Sequence, residues 1–300
     1  MAKIVTRIMG GIGNQLFCYA AARRLALVNH AELVIDDVTG FSRDRVYRRR
    51  YMLDHFNISA RKATNYERME PFERYRRGLA KYISKKLPFF EREYIEQERI
   101  EFDPRFLEYR TYNNIYIDGL WQSENYFKDV EDIIRDDLKI IPPTDLENIN
   151  IAKKIKNIQN TIAMHVRWFD LPGINLGNNV STYYYHRAIA MMEQRINAPH
   201  YFLFSDNLEA VHSKLDLPEG RVTFVSNNDG DDNAYADLWL MSQCKHFITA
   251  NSTFSWWGAW LGESRDSVVL VPRFSPDGGV TSWCFTGLIP ERWEQVSSIR

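Results

Sequence analysis

The sequence predicts an α/β protein in two parts, each built on a parallel sheet. Three observations predict it. Residues 161–271 alternate short apolar runs with helical periods, the order that gives a parallel sheet covered on both faces. The chain opens on a strand, a glycine-rich turn and a helix, which is the start of a βαβ unit. Pro142-Pro143 and the polar residues after them punctuate the middle of the chain as an interdomain connection does.

The elements follow in order. In the first part, taken as residues 1–146, a strand over 2–9 leads into Gly10-Gly-Ile-Gly-Asn-Gln-Leu-Phe17 and a helix to about Val28. Glu32–Asp36 reads as the next strand, residues 44–100 as charged and mostly helical, and Asn114–Asp118 as a further strand before Gly119. In the second part, taken as 147–300, the strands are Thr161–Val166, Tyr201–Ser205, Val222–Ser226, His246–Ala250 and Val268–Val271. The helices between them are 183–196, capped by Ser181 or Thr182, 233–244, and a tryptophan-dense segment after Asn251.

A parallel sheet binds its ligand at the carboxyl ends of its strands. The residues that follow those strands are Arg167 and Asp170, Ser205 and Asp206, and Asn251 and Ser252. The last pair opens Asn251-Ser-Thr-Phe-Ser255, a hydroxyl-rich turn at a helix start. One hydroxyl suffices for a cap, and here Ser252, Thr253 and Ser255 crowd together. Helix-start N–H groups attract anions, so the cluster suits a phosphate or sugar.

Composition bounds the alternatives. The chain has 300 residues, 45% hydrophobic and 26% charged, enough for two soluble domains. No apolar run reaches the roughly 20 residues that span a bilayer, and the N-terminus lacks a secretion signal's apolar core, so a cytoplasmic protein is expected. Cys18, Cys244 and Cys284 are odd in number and far apart, which favours reduced thiols over disulfides or a metal site. Residues 41–90 carry fourteen Lys or Arg against five Asp or Glu. Within them Phe72, Tyr75, Leu79, Tyr82 and Ile83 recur at helical spacing with basic residues off the stripe. Such a helix either lies on an anionic membrane surface or turns a charged face to water over an ordinary core contact. No recognition motif accompanies the charge, so nucleic acid is disfavoured.

Two strand ends need closer reading. Gly11-Ile-Gly13 has the first two glycines of a dinucleotide fingerprint, but Leu16 stands where the third belongs, which disfavours NAD. The turn either lets a ligand approach the backbone, with the amides of Asn14 and Gln15 beside it, or is a tight turn capped by Asn14. In His165-Val-Arg167, the planar fork of Arg167 suits a diphosphate. His165 shares its face of the strand, and a buried hydrogen-bonded histidine explains it as well. Asp170 either accepts a proton or orients Arg167.

Three motifs in order, Gly10–Phe17, His165-Val-Arg167 with Asp170, and Cys244–His246 through Asn251–Trp257, resemble those of the α-1,2-fucosyltransferases of bacterial polysaccharide synthesis, in glycosyltransferase family 11. Gly119-Leu-Trp-Gln122, Tyr126-Phe127, Phe204-Ser-Asp206 and Asp237–Ser242 support the match. One departure is clear: the family's second arginine and the glycine before its aspartate are replaced by Trp168 and Phe169. The indole is able to stack on a sugar or base instead.

The resemblance implies a GT-B-like fold, two Rossmann-like domains facing across a cleft, with the first on the acceptor side and the second binding GDP-fucose. It implies transfer of fucose, with inversion and without a divalent metal or other cofactor, to the 2-hydroxyl of a galactose in a glycan or lipid-linked oligosaccharide. Asp229-Gly-Asp231 has the spacing of a metal-diphosphate chelate, but reads better as a polar loop before a helix. Arg167 is then the expected catalytic cation. Asn14 and the backbone around Ser252, Thr253 and Phe254 complete the diphosphate site, and His165 or Asp206 holds the nucleoside. Gly11, Gly13, Gln15, Ser205, Asn251 and Ser255 complete the expected donor contacts. Asp170, Asp37 and Glu124 are the base candidates by chemistry alone, and loops near Asp36–Arg50 and Trp121–Phe127 are expected to line the acceptor side. Rival readings are a transferase of the same fold using another GDP-sugar, and a glycan-binding protein that stacks sugars on some of its eight tryptophans.

Overall fold

The first strand of each half lies inside its sheet rather than at an edge, and that placement decides where each half can bind. The computed structural model describes residues 1–168, 179–273, 283 and 285–298. The chain divides into two units, 1–140 with 286–288, and 141–285 with 289–300. The break falls just before Pro142-Pro143, and the first unit recovers three residues from the far end of the chain.

In the first unit, β1 (Lys3–Arg7) leads to α1 (Ile12–Val28) and β2 (Glu32–Asp36). Then come β3 (Arg61–Lys62), α2 (Glu73–Ser84), β4 (Tyr94–Glu96), α3 (Arg105–Glu108), β5 (Ile115–Asp118) and α4 (Glu131–Asp137). The sheet order is β3-β2-β1-β5-β4, and every pair is parallel. Helix α1 is apolar on all sides, and Leu16, Phe17, Cys18, Ala20, Ala21 and Leu25 are fully buried, as an all-round apolar helix requires. Residues 44–100 differ from expectation. Only α2 is an α-helix there, and β3 and β4 add strands at the two sheet edges. Two- and three-residue strands are too short to show a period. They form because β2 and β5 offer unpaired backbone edges.

In the second unit, α5 (Leu146–Asn157) precedes β6 (Thr161–Val166), all six of whose residues are buried. There follow α6 (Thr182–Arg195), β7 (His200–Ser205), α7 (Leu208–Lys214), β8 (Val222–Val225) and α8 (Ala234–Met241). The chain continues through β9 (His246–Ile248), α9 (Thr253–Gly262), β10 (Val269–Arg273) and β11 (Glu294–Ser297). The sheet order is β11-β10-β9-β6-β7-β8, again with every pair parallel. Helices start where the sequence supplies a cap: the side chains of Asp145, Ser181, Asn207 and Ser252 each accept a first-turn N–H. Strands run outward from β6 on one side and from β9 on the other. The order therefore reverses between β6 and β9, and in the first unit between β1 and β5. A crevice opens at the carboxyl ends of strands at each reversal, and ligands of such sheets bind there.

Candidate active site

In the second unit the reversal brings together the ends of β6 and β9. Arg167 follows the last residue of β6. Its Nε lies 3.1 Å from Asp206 Oδ2, just past the end of β7. Asp206 Oδ1 accepts the Trp168 N–H at 3.0 Å, so one carboxylate fixes both the guanidinium and the backbone beside it. Both side chains of the pair remain about a third exposed, at 32% and 28%. Ser205 Oγ is occupied in the turn, accepting the Asn207 N–H at 3.1 Å.

His165 is buried, with its ring 5.3 Å from that of Phe254 on α9. Burial, aided by the Arg167 charge, lowers its pKa to about 3. The imidazole is neutral at ordinary pH and does not serve as a second cation. Its Nδ1 is buried with no hydrogen-bond partner among the described residues, which fits a neutral donor or acceptor on a ligand.

At the end of β9, Asn251 is buried and Ser252 caps α9, its Oγ accepting the Phe254 N–H at 3.3 Å. Ser255 is fully buried and fastens the turn. Its Oγ accepts from Ala250 N at 3.2 Å and lies 3.2 Å from Ser252 O. The Phe254 N–H and the Ser255 hydroxyl, both expected at the donor, are thus used within the fold. The first helical bond is Trp256 N to Ser252 O, so the N–H groups of Thr253 and Ser255 have no helical acceptor and Thr253 is partly exposed. That leaves a capped helix start with donors for an anion beside Arg167.

In the first unit, the turn after β1 sits at the reversal with Gly119, which follows β5. Gly10 adopts φ +76°, open to glycine and costly for other residues, and a Cβ on it would lie 2.7 Å from Asn14 Nδ2. Gly11, not Asn14, is the N-cap of α1, and no side chain caps it. Asn14 Oδ1 accepts from Gln122 Nε2 at 2.8 Å, so the amide is aimed by a residue from beyond β5. Gln15 is fully buried. Its Nε2 donates to Gly10 O and Arg50 O, and its Oε1 accepts the Met52 N–H. It straps the turn to the 50–52 loop and offers nothing to a ligand, and Gly13 is buried inside α1.

Sequence reasoning overlooked three residues here. Gln122 lay inside a noted motif, but its pairing with Asn14 leaves no periodic signal. Arg49 lay in a basic run and in the loop expected on the acceptor side but was given no role of its own, and its Nε lies 3.6 Å from where a Gly11 side chain would begin. Asp237, on α8, accepts from Asn228 Nδ2 at 2.7 Å, and burial raises its carboxyl to about 7, a perturbation typical of functional sites.

Of the base candidates, Asp37 has a buried Oδ1 without a hydrogen-bond partner, and Oδ2 3.7 Å from Lys62 Nζ. Glu124 is 3% exposed beside Lys128. Asp170 lies outside the described residues, as do Phe169 and Cys284. Cys18 and Cys244 are buried free thiols. In the loop Trp121–Phe127, expected on the acceptor side, Trp121, Tyr126 and Phe127 are core residues, with Trp121 4.5 Å from Phe106 between ring centres, while Gln122 and Asn125 are part-exposed. Trp168 is likewise 6% exposed, packed on Tyr185 with Lys214 Nζ 4.7 Å from its ring centre, and offers no stacking face. Trp121, Trp168, Trp256, Trp257, Trp260, Trp283 and Trp293 are buried, so of the eight tryptophans only Trp239 is part-exposed to offer a sugar-stacking face. Among the described residues no cluster of three or more His, Cys, Asp or Glu could hold a metal ion. In the Asp229-Gly-Asp231 turn, Asn233 Nδ2 donates to Asp229 O at 3.0 Å, just before α8.

Comparison with known proteins gives a consistent result. The family model described as glycosyl transferase family 11 matches residues 3–282. An Escherichia coli alpha-1,2-colitosyltransferase is 27% identical over 91% of this chain and 92% of its own length. The Escherichia coli O-antigen biosynthesis glycosyltransferase WbnK is 30% identical over 89% and 92%. Human galactoside alpha-(1,2)-fucosyltransferase 1 is 32% identical over a shorter stretch, 31% of this chain and 25% of that protein. Two solved structures share the fold. The NodZ alpha-1,6-fucosyltransferase soaked with GDP-fucose has a TM-score of 0.50 at 17% identity, covering 87% of this chain and 92% of that one. A mutant of Arabidopsis thaliana FUT1 in complex with GDP has a TM-score of 0.53 at 13% identity, covering 96% and 74%.

Proposed function

The chain belongs to glycosyl transferase family 11 and is a fucosyltransferase-like glycosyltransferase, and from that premise we propose that it transfers fucose from GDP-fucose to the 2-hydroxyl of a galactose residue during bacterial polysaccharide synthesis. The observation that carries the reading is the Arg167–Asp206 pair at the strand reversal of the second unit, beside the start of α9.

The chemistry follows from the charges. The acceptor oxygen attacks the anomeric carbon of fucose, the bond from that carbon to the diphosphate oxygen breaks, and the hydroxyl proton leaves to a base or to water. Attack opposite the departing GDP inverts the centre. Negative charge grows on the diphosphate, and Arg167 with the N–H groups of the α9 start stabilises it where it develops. Asp206 holds the guanidinium in place beforehand, so little reorganisation is needed in the transition state. Neutral His165 hydrogen-bonds the nucleoside. On the first unit, Asn14, aimed by Gln122, is the amide proposed to contact a ligand, and Asp37 is kept as a base candidate for its buried, unpartnered Oδ1. In this reading protein cations and dipoles replace a metal.

The test measures GDP release with GDP-fucose and a galactose-terminated glycan, and the linkage of the product by NMR. An α-1,2-fucoside formed equally well with a chelator present is expected. Loss of turnover with chelator and recovery with manganese would overturn the metal-free mechanism. A second donor has a specific observation in its favour, since one of the relatives matched over most of its length is a colitosyltransferase. Colitose is fucose without its 3-hydroxyl. Calorimetric titration with GDP-fucose, GDP-colitose and GDP-mannose separates these donors.

A further inference from the structure

Helix α2 is turned inside out. Its sheet-facing side is small or polar. Ala80 packs on the cluster that includes Val5, Tyr94 and Tyr116, and Ser84 Oγ accepts the Tyr94 N–H at 3.1 Å. Lys81 and Lys85 both pair with Glu96 of β4. The apolar stripe is left open to water. Phe72 is 72% exposed, Tyr75 77%, Leu79 60%, Tyr82 61% and Ile83 52%, and Leu79 and Ile83 also border an open cavity of about 710 Å³ over Val5, Tyr94 and Tyr116. A helix anchored by its polar side, with its aromatics in water, has a strong apolar face left without a partner.

The charge around it selects the partner. Residues 73–86 carry six Lys or Arg against one Glu, in a chain of net charge −1, and only Lys81 and Lys85 of them are answered by an acidic partner, Glu96 of β4, among the described residues. Arg74 on α2 and Lys86 just past its end are exposed, with Lys86 Nζ 4.2 Å from the Tyr82 ring centre. A second copy of the chain would bring two strongly basic regions together, which repel. An anionic lipid surface complements both features, since it takes apolar side chains into its interface and attracts the lysines and arginines around them.

We propose that α2 is a membrane-docking helix, which lays Phe72, Tyr75, Leu79, Tyr82 and Ile83 into the interface of an anionic bilayer while the surrounding basic side chains meet the headgroups. The inference rests on the surface of the first unit and does not depend on which sugar is transferred. No helix among the described residues is long and apolar enough to cross a membrane, so the contact is peripheral.

The experiment is co-sedimentation of the full chain with vesicles of phosphatidylcholine, with and without phosphatidylglycerol. Binding is expected to need phosphatidylglycerol and to weaken as salt is raised. A triple variant, Tyr75→Ser with Leu79→Ser and Tyr82→Ser, should bind about tenfold more weakly or worse, since binding scales with the apolar area inserted. Its melting temperature should match the parent, because the changed side chains are exposed. A second variant, Arg74→Glu with Lys86→Glu, should lose the preference for phosphatidylglycerol while keeping the apolar stripe. Three results would overturn the proposal: a parent chain left in the supernatant at low salt, a triple variant that binds as the parent does, or a parent that is dimeric by light scattering and monomeric once the stripe is removed. The last would assign the face to a second copy.

Discussion

Helices α1 and α9 occupy the same place in two different sheets. Each begins where its strand order reverses, and each is almost wholly buried. Their starts are equipped differently. The α9 start is capped by Ser252 and has Arg167 on the neighbouring strand end, clamped by Asp206. The α1 start has no side-chain cap, a left-handed glycine before it, and a neutral amide, Asn14, aimed by Gln122. The first unit also has a strand-end arginine, Arg7 of β1, but its guanidinium is tied to Asp118 at 3.1 Å and to Thr39 Oγ1 and O, and the further cation Arg49 comes from a loop. The difference teaches that the same topological crevice can leave its strand-end arginine part-open or bind it into the fold. The open one suits a nucleoside diphosphate, and the other suits close backbone approach by a ligand.

The largest expected effect tests the open crevice. Arg167→Ala should lower turnover about 10²–10³-fold, the usual cost of removing one preorganised donor to a developing anion. Its melting temperature should shift little, because the side chain and its ion-pair partner Asp206 are both part-exposed. The GDP-release assay with donor and acceptor reads the first, and thermal unfolding the second. Near-parent turnover would put the diphosphate elsewhere and dissolve the contrast between the two crevices.

The next effect concerns protons. The unfolded His165 imidazole takes up a proton near 6.5, whereas the folded one does so only near 3. Its stabilising contribution is therefore complete above pH 6.5 and is lost as pH falls from there towards 3. At pH 5 the loss should be about 2 kcal/mol. Asp237 has the opposite sign: its folded carboxyl keeps a proton up to about 7, so stability declines as pH rises from the ordinary carboxylate range through 7. Urea unfolding of the parent and of His165→Gln at pH 8 and pH 5 isolates the first term. Parallel changes in the two proteins would show that the ring titrates normally and is open to water.

The site was legible where chemistry coincides with a strand end. Arg167, Asp206, Ser252 and Gly10 follow strands whose apolar runs announce them, and a parallel sheet then fixes where they must lie. Tertiary pairings were not legible. Nothing local distinguishes Gln15, which braces a loop with all of its amide, from Asn14, one position earlier and partly exposed. The tryptophans misled for a related reason. Their density suggests a sugar platform, but Trp256, Trp257 and Trp260 fill the interior against one another, and an indole reads the same in either setting. The period of α2 was visible while its orientation was not, because a stripe fixes which residues share a face and leaves open which way that face turns.

A smaller perturbation probes the glycine turn of the first unit. Gly10→Ala places a Cβ on a residue at φ +76°, at a cost of about 1–2 kcal/mol. That Cβ would also meet Asn14 Nδ2 at 2.7 Å and push the amide off Gln122. Stability and turnover should fall together. Gln122→Ala leaves the backbone unstrained while removing the same support from Asn14, so it should reduce turnover with little change in melting temperature. If Gln122→Ala were fully active, the Asn14 amide would be a structural detail and the first unit's crevice would owe its role to backbone alone.

The smallest effects come from exchanging the two helix starts' caps. Ser252→Ala removes the hydroxyl that accepts the Phe254 N–H and should cost about 1 kcal/mol of stability. Gly11→Ser makes the reverse change on α1. The backbone of Gly11 is already extended, at φ −70° and ψ 170°, and its new Cβ would meet Arg49 at an ordinary 3.6 Å. A serine there can cap α1 and should stabilise the fold by a few tenths of a kcal/mol. The same side chain fills the space that a bare glycine keeps open and competes for the helix-start N–H groups. A chain that becomes slightly more stable and clearly less active would identify the missing cap as a concession to ligand approach. A chain that gains stability and keeps its KM for donor and acceptor would show that nothing approaches the turn, and would leave α9, of these two helix starts, as the one with a ligand to hold.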